Sequence, residues 1–196
     1  MKLVLASKNQ GKLKEMQTIL SELGLEVVLE SEVGVDVDVE ETGTTFAENA
    51  LLKAKAVAEA SGMAAIADDS GLMVDALNGE PGVYSARYGG CSSDPERIAY
   101  LLSNMADIPE GKRSARFVTA IACVLPDGQT LTAEGFCEGR ILTQPRGTKG
   151  FGYDPVFYVP KIGKTFAEAL PEEKNAISHR GNALREFCKV WKESGL

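Results

Sequence analysis

Apolar and polar positions along this chain follow two periods in turn, and together they predict an α/β succession. Lys2–Ala6 reads as a short apolar strand, followed by the polar loop Ser7-Lys8-Asn9-Gln10-Gly11. Leu13, Met16, Leu20 and Leu23 then recur at helical spacing, with Gly24 as the stop. Leu25–Leu29 is the next strand. A helix is predicted from Thr45 to Ser61, ending at Gly62, with Thr45 and Glu48 in capping-box positions. Ala64–Ala67 reads as a short buried strand that ends in the turn Asp68-Asp69-Ser70-Gly71, before the apolar stretch Leu72–Leu77 and a turn over Gly79–Gly82. Asp94-Pro95 reads as an N-cap with proline at the first helical position, opening a helix to about Met105. Arg116–Leu125 and Thr130–Leu142 flank Pro126-Asp127-Gly128-Gln129, an antiparallel hairpin pattern. A loop-rich stretch, Thr143–Pro160, follows. The last helix is predicted from Asn182 to Glu193, with Leu184, Phe187, Cys188 and Trp191 on one face.

The strand–loop–helix–strand opening indicates an α/β fold. The hairpin argues against an all-parallel sheet and for a mixed central sheet flanked by helices. With 196 residues the chain is expected to form one domain, 1–196, of one or two lobes. The longest unbroken apolar run, Ala120–Leu125, is far too short to span a bilayer, and no signal-peptide core follows Met1 and Lys2, so a cytoplasmic protein without a membrane partner is expected. Charge changes the picture further: 21 Lys+Arg against 28 Asp+Glu give −7, which disfavours a nucleic-acid polymer but leaves room for a small anion in a local basic pocket. Cys91, Cys123, Cys137 and Cys188 show no CxxC spacing and are expected to be reduced and mainly core filler. A single histidine excludes a multi-histidine zinc site.

Five places carry candidate chemistry. Ser7–Lys12 lies between strand and helix, where backbone N–H groups and the helix dipole favour a phosphate, although the loop matches neither the Walker A nor the GxGxxG pattern. Asp68-Asp69-Ser70-Gly71 sets two adjacent carboxylates at a strand end, a place for Mg2+ or for a solvated Asx turn. Glu40-Glu41 lies within an acidic run that holds eight carboxylates from Glu26 to Glu48 with no Lys or Arg. Gly150-Phe151-Gly152-Tyr153-Asp154-Pro155 puts glycines around aromatics, leaving Phe151 accessible for stacking on a base. Lys174 to Gly181 brings Lys174, His179 and Arg180 together, an arrangement that is more often a solvated helix start. In combination they match the inventory of a Mg2+-dependent nucleoside triphosphate site.

Six motifs then stand in order: Ser7-x-Asn9-x-Gly11-Lys12, Glu41-x-Gly43-x-Thr45-Phe46-x-x-Asn49-Ala50, Ala67-Asp68-Asp69-Ser70-Gly71-Leu72, Pro81-Gly82-Val83-Tyr84-Ser85-Ala86-Arg87-Tyr88, Gly150–Pro155 and Ser178-His179-Arg180-Gly181. This set resembles the noncanonical purine NTP pyrophosphatases (ITP/XTP pyrophosphatases) of the bacterial branch, over nearly the whole chain. Ser7-Lys8 stands where many members have Thr-Gly. The resemblance implies an elongated mixed sheet in two lobes with the site in the cleft between them, a homodimer, and hydrolysis of ITP, dITP and XTP to the monophosphate and pyrophosphate by water attack at the α-phosphorus. It implies Asp69 as general base and Mg2+ ligand, Glu41 or its neighbour Glu40 as the other metal carboxylate, and Asp68 in the first or second metal shell. Ser7, Lys8, Asn9, Gln10, Gly11, Lys12 and Lys174 would hold the triphosphate. Ser70, Phe151, Gly152, Tyr153, Asp154, His179 and Arg180 would line the base and sugar pocket. Related pyrophosphatases of modified pyrimidine nucleotides and a non-catalytic nucleotide sensor are the competing readings.

Overall fold

Strand β1 (Lys2–Leu5) pairs in parallel on both sides. In the computed structural model, which describes residues 1–196, its neighbours are β2 (Glu26–Leu29), with Lys2 opposite Glu26, and β3 (Ala65–Val74), with Leu5 opposite Ile66. The other strands are β4 (Ser114–Val124), β5 (Thr130–Ile141), β6 (Phe157–Val159) and β7 (Lys164–Thr165). They hydrogen-bond in the order β2-β1-β3-β4-β5-β6-β7, and the β5–β6 and β6–β7 pairs are antiparallel, so the sheet is mixed as the hairpin implied. Five helices complete the fold: α1 (Gln10–Leu20), α2 (Phe46–Ser61), α3 (Asp94–Asn104), α4 (Pro171–Ile177) and α5 (His179–Glu193). No helix is long and apolar enough to cross a membrane.

Contacts within the chain divide it into two compact units. The first comprises residues 1–69, 119–135 and 180–196. Its core packs Met16 and Leu20 of α1 and Leu184 and Phe187 of α5 with Leu3, Leu5, Ile66 and Ile121 of the strands. Leu3, Met16, Leu20 and Phe187 have no exposed surface, so truncating any of them to alanine is expected to cost about 2–5 kcal/mol. The second unit comprises residues 70–118 and 136–179, around Leu72, Leu101, Met105, Phe117, Phe157 and Phe166. Phe117, Phe157 and Phe166 form an aromatic cluster with ring centroids 4.5–5.8 Å apart. Cys123 and Cys137 are buried in these two cores, and all four cysteines are free.

Helix signals in the sequence correspond to the observed caps. Thr45 Oγ1 accepts from the Glu48 N–H while the Glu48 carboxylate accepts from the Thr45 N–H, and Gly24 and Gly62 adopt φ of +70° and +67° at helix ends. Several expectations are corrected. Asp68-Asp69-Ser70-Gly71 is not a turn: β3 runs straight through it from Ala65 to Val74. Ser93, not Asp94, caps α3, because Ser93 Oγ and the Glu96 side chain close a capping box; Pro95 falls one position later than expected. α5 begins at His179, three residues before the predicted start, and α4, β6 and β7 occupy stretches with no predicted element.

Candidate functional site

The loop after β1 is shaped by its own side chains. Asn9 caps α1: its Oδ1 accepts from the N–H of Gly11 at 2.8 Å and of Lys12 at 3.2 Å. Ser7 Oγ in turn accepts from the Asn9 N–H at 3.1 Å. The two lysines of the loop are matched to carboxylates. Lys8 Nζ lies 2.6 Å from Asp36, and Lys12 Nζ lies 2.9 Å from Asp68. Gln10 and Gly11 are exposed at the start of the helix.

Strand geometry separates the two aspartates, since successive side chains point to opposite faces. Asp68, with its side chain 1% exposed, receives Lys12 and Arg180, the latter through Nε at 3.2 Å. Arg180 also donates from Nη1 to Glu15 at 2.9 Å. Burial pushes the Asp68 carboxyl upward, but the Lys12 and Arg180 charges outweigh it and hold the group well below the usual carboxylate range. Asp69 faces Lys53 instead, at 3.1 Å, and the same Lys53 ammonium lies 2.9 Å from Glu41. Burial raises the Asp69 carboxyl above its ordinary value, with Glu41 adding to the rise and Lys53 opposing it. For Lys53, burial acts downward, yet the carboxylates of Asp69 and Glu41 more than offset it and the group is raised. The adjacent aspartates therefore need no shared metal to relieve their repulsion: each has its own protein cation.

Glu41 reaches this position through the stretch before α2. Asn49 is fully buried, and its Oδ1 accepts the Gly43 N–H at 2.7 Å. A Cβ on Gly43 would sit 2.6 Å from that oxygen, so the turn requires glycine. Of the two candidates, the structure brings Glu41 to Asp69, while Glu40 is exposed. Glu41 and Asp69 thus aim hard oxygen donors at one cation position from separate elements. That donor set fits Mg2+, which takes one or two carboxylates and completes its shell with waters and substrate phosphates. Asp68 is turned away from the pair.

Within the second unit, Asp154 is the hub of the Gly150–Pro155 loop. Its Oδ2 accepts from Lys174 Nζ at 2.6 Å and from the Phe151 N–H at 3.2 Å. Burial pushes the Asp154 carboxyl up and Lys174 only partly counters this. The Gly152 N–H donates to Asp94 at 2.8 Å, and the buried Tyr153 donates its hydroxyl to the Ser85 carbonyl at 2.7 Å. Phe151 remains 65% exposed, with the Lys174 ammonium 5.0 Å from its ring centre. His179 stacks on Phe117 at 4.7 Å, and Ser70 follows Asp69 in β3 as a half-buried residue. The chain passes from one unit to the other at four peptide bonds, Asp69–Ser70, Val118–Thr119, Gly135–Phe136 and His179–Arg180.

Sequence reading missed Lys53, although a signal was present. Phe46, Asn49, Ala50, Ala54 and Val57 form the buried stripe of α2, and Lys53 lies four residues from both Asn49 and Val57. A charge at such a position needs a buried partner. Glu15 and Asp94 were also missed; nothing local marks Glu15, because its partner Arg180 is 165 residues away.

The Ham1 family model matches residues 3–190. A Thermus thermophilus protein named dITP/XTP pyrophosphatase is 52% identical over 193 residues, covering 98% of this chain and 93% of the relative. One of the same name from Escherichia coli O157:H7 is 50% identical, covering 94% of each chain. The solved structure of a HAM1 protein from Coxiella burnetii superposes with a TM-score of 0.92 at 46% identity, over 98% of this chain and 99% of that one. With a family model spanning nearly its whole length, and relatives this similar in sequence and in structure, the chain belongs to the Ham1 family.

Proposed function

We propose that this protein hydrolyses noncanonical purine nucleoside triphosphates (ITP, dITP and XTP) to the nucleoside monophosphate and pyrophosphate. The observation that carries the reading is the convergence of Glu41 and Asp69 on one cation position, beside a cavity that Lys53 shares with Ser7 and Lys8 of the loop. The names of relatives about half identical to the chain supply the substrate class.

Glu41 and Asp69 would hold Mg2+, which would polarise water and neutralise phosphate charge. Asp69 takes the proton of the attacking water. The water oxygen bonds to the α-phosphorus as the bond from that phosphorus to its bridging oxygen breaks, and pyrophosphate departs. Ser7–Lys12 and Lys174 bind the phosphates. An ammonium carries three donors, so Lys12 keeps Asp68 with one and has two for phosphate oxygens. Phe151 stacks on the base, while Ser70, Gly152, Tyr153, Asp154, His179 and Arg180 surround base and sugar. A donor facing a 6-oxo purine is left without an acceptor by adenine, which discriminates strongly.

Turnover on ITP, dITP, XTP, ATP, GTP, CTP and dTTP with Mg2+, read as phosphate with and without added inorganic pyrophosphatase, tests the proposal. Signal for the first three only, and only with the coupling enzyme, supports it. Phosphate released without that enzyme, or equal rates on ATP and GTP, overturns it. Preference for pyrimidines would point to the related pyrimidine pyrophosphatases.

A further inference from the structure

In the second unit the exposed ring of Phe151 stands between two flexible joints, Gly150 and Gly152, both at positive φ. An exposed aromatic on such a backbone ordinarily samples many orientations, and a ligand that stacks on it must first order it. Here the backbone is held in advance. Two bonds are internal to the loop: the Phe151 N–H donates to the Asp154 carboxylate, and the Asp154 N–H donates to the Phe151 carbonyl, each at 3.2 Å. They fix the shape of the turn. The next peptide is anchored from outside the loop, because the Gly152 N–H donates to Oδ2 of Asp94, at the first residue of α3, at 2.8 Å.

The helix does not need Asp94 as a cap. Ser93 and Glu96 close the capping box of α3, and Glu96 already gives the first turn a carboxylate. The carboxylate of Asp94 is instead gripped from both sides. Its Oδ1 accepts from Arg97, whose Nη1 also donates to the Cys91 carbonyl at 3.0 Å. The Arg97 side chain is 15% exposed, so a well-held cation fixes one oxygen and leaves the other facing Gly152. Arg97 is the main cause that holds the Asp94 carboxyl below its ordinary value; burial opposes it and the Gly152 N–H adds to it. The acceptor for Gly152 is therefore an ionised carboxylate, which makes the stronger, charge-assisted class of hydrogen bond.

We propose that Asp94 is a positioning residue: held by Arg97, it pins the Gly152 peptide and so keeps the Phe151 ring oriented for a base. The inference rests on the proposed function, in which that ring stacks on the purine. Ordering the ring beforehand removes an entropy cost from binding and leaves the reacting phosphate untouched, so the effect falls on KM rather than kcat. Steady-state kinetics on ITP with Mg2+, beside urea unfolding, test it in the wild type, Asp94→Ala, Asp94→Asn, Phe151→Ala and the double variant Asp94→Ala/Phe151→Ala. Asp94→Ala is expected to raise KM roughly 3- to 10-fold, with kcat within about twofold. Asp94→Asn keeps an acceptor for Gly152 but loses the charge, and should show the same pattern at smaller size; it carries the test should Asp94→Ala unfold. In the Phe151→Ala background the Asp94 substitution should add nothing, because the ring through which it acts is gone. In the ligand-free protein the Gly152 amide should exchange with deuterium at least about tenfold faster in Asp94→Ala, a readout that needs no substrate. Unchanged KM or unchanged Gly152 exchange in Asp94→Ala would overturn the inference, as would the same factor lost with and without Phe151, which would make Asp94 a structural residue of α3. A wild-type KM in Phe151→Ala would instead show that the ring takes no base: the stacking reading then fails and the inference with it.

Discussion

Lys53 holds its ammonium 3.1 Å from the Asp69 carboxylate and, at 2.9 Å, bridges it to Glu41. The lysine thus occupies the charge balance that a metal would otherwise supply. Replacing it by methionine leaves two carboxylates facing each other without a cation. Both are partly screened by solvent, so the expected loss in chelator is about 2 kcal/mol, below that for a fully buried pair. Mg2+ should then restore more stability in Lys53→Met than it adds to the wild type, because the ion no longer competes with an ammonium. Thermal unfolding across a Mg2+ titration measures this. Equal Mg2+ shifts in the two proteins would mean that the pair does not receive the metal.

Asp68 is held differently, between Lys12 and Arg180 in the buried part of the first unit. Its carboxyl is depressed in the folded protein, against about 3.9 in the unfolded chain. A depressed folded value means stability that is fully present above the unfolded pKa and is lost as pH falls through the folded one. Below about pH 4 the wild type should therefore weaken as Asp68 is forced toward protonation. Asp68→Asn should cost about 3 kcal/mol at pH 7, since it strands the buried Arg180 with Glu15 alone. Its stability should also fall less steeply from pH 4 downward. Urea midpoints at several pH values would show parallel curves for the two proteins if the pairing contributed nothing.

Local chemistry explains what could be read in the sequence and what could not. Thr45 with Glu48, and Gly24 and Gly62 with positive φ, act within one helical turn, so caps and boundaries were visible. Asp68 and Asp69 resembled a polar turn because their partners, Lys12, Lys53 and Arg180, come from distant segments; only those cations let β3 continue through two carboxylates. Ser93 outcompeted Asp94 as a cap because Asp94 is drawn to the Gly152 N–H, 58 residues away. The choice between Glu40 and Glu41 depended on a tertiary bond as well, that of Asn49 to Gly43.

Phe151 is exposed enough that its removal should leave the fold intact. Base–aromatic stacking contributes about 1–3 kcal/mol per base, so Phe151→Ala should raise KM for ITP by roughly 5- to 150-fold with an unchanged unfolding midpoint. Steady-state kinetics beside denaturant unfolding separate the two effects. A KM equal to that of the wild type would remove Phe151 from the base pocket.

Two glycines flank that ring, and the structure assigns them different sensitivities. Gly150 and Gly152 both have positive φ, at +74° and +60°, so alanine at either is strained by about 1–2 kcal/mol. At Gly152 a Cβ would meet nothing within 4 Å, and strain is the whole cost. At Gly150 the Cβ would collide with the Asp154 carboxylate. That carboxylate cannot swing aside freely, because it is buried and accepts from Lys174 and the Phe151 N–H. Gly150→Ala should therefore lose about 1–3 kcal/mol beyond Gly152→Ala. It should also weaken nucleotide binding, since the displaced carboxylate anchors both Lys174 and the backbone of Phe151. Urea unfolding and ITP affinity of the two variants, compared side by side, check both points; equal losses would show that Asp154 yields and that its grip on Lys174 is not rigid.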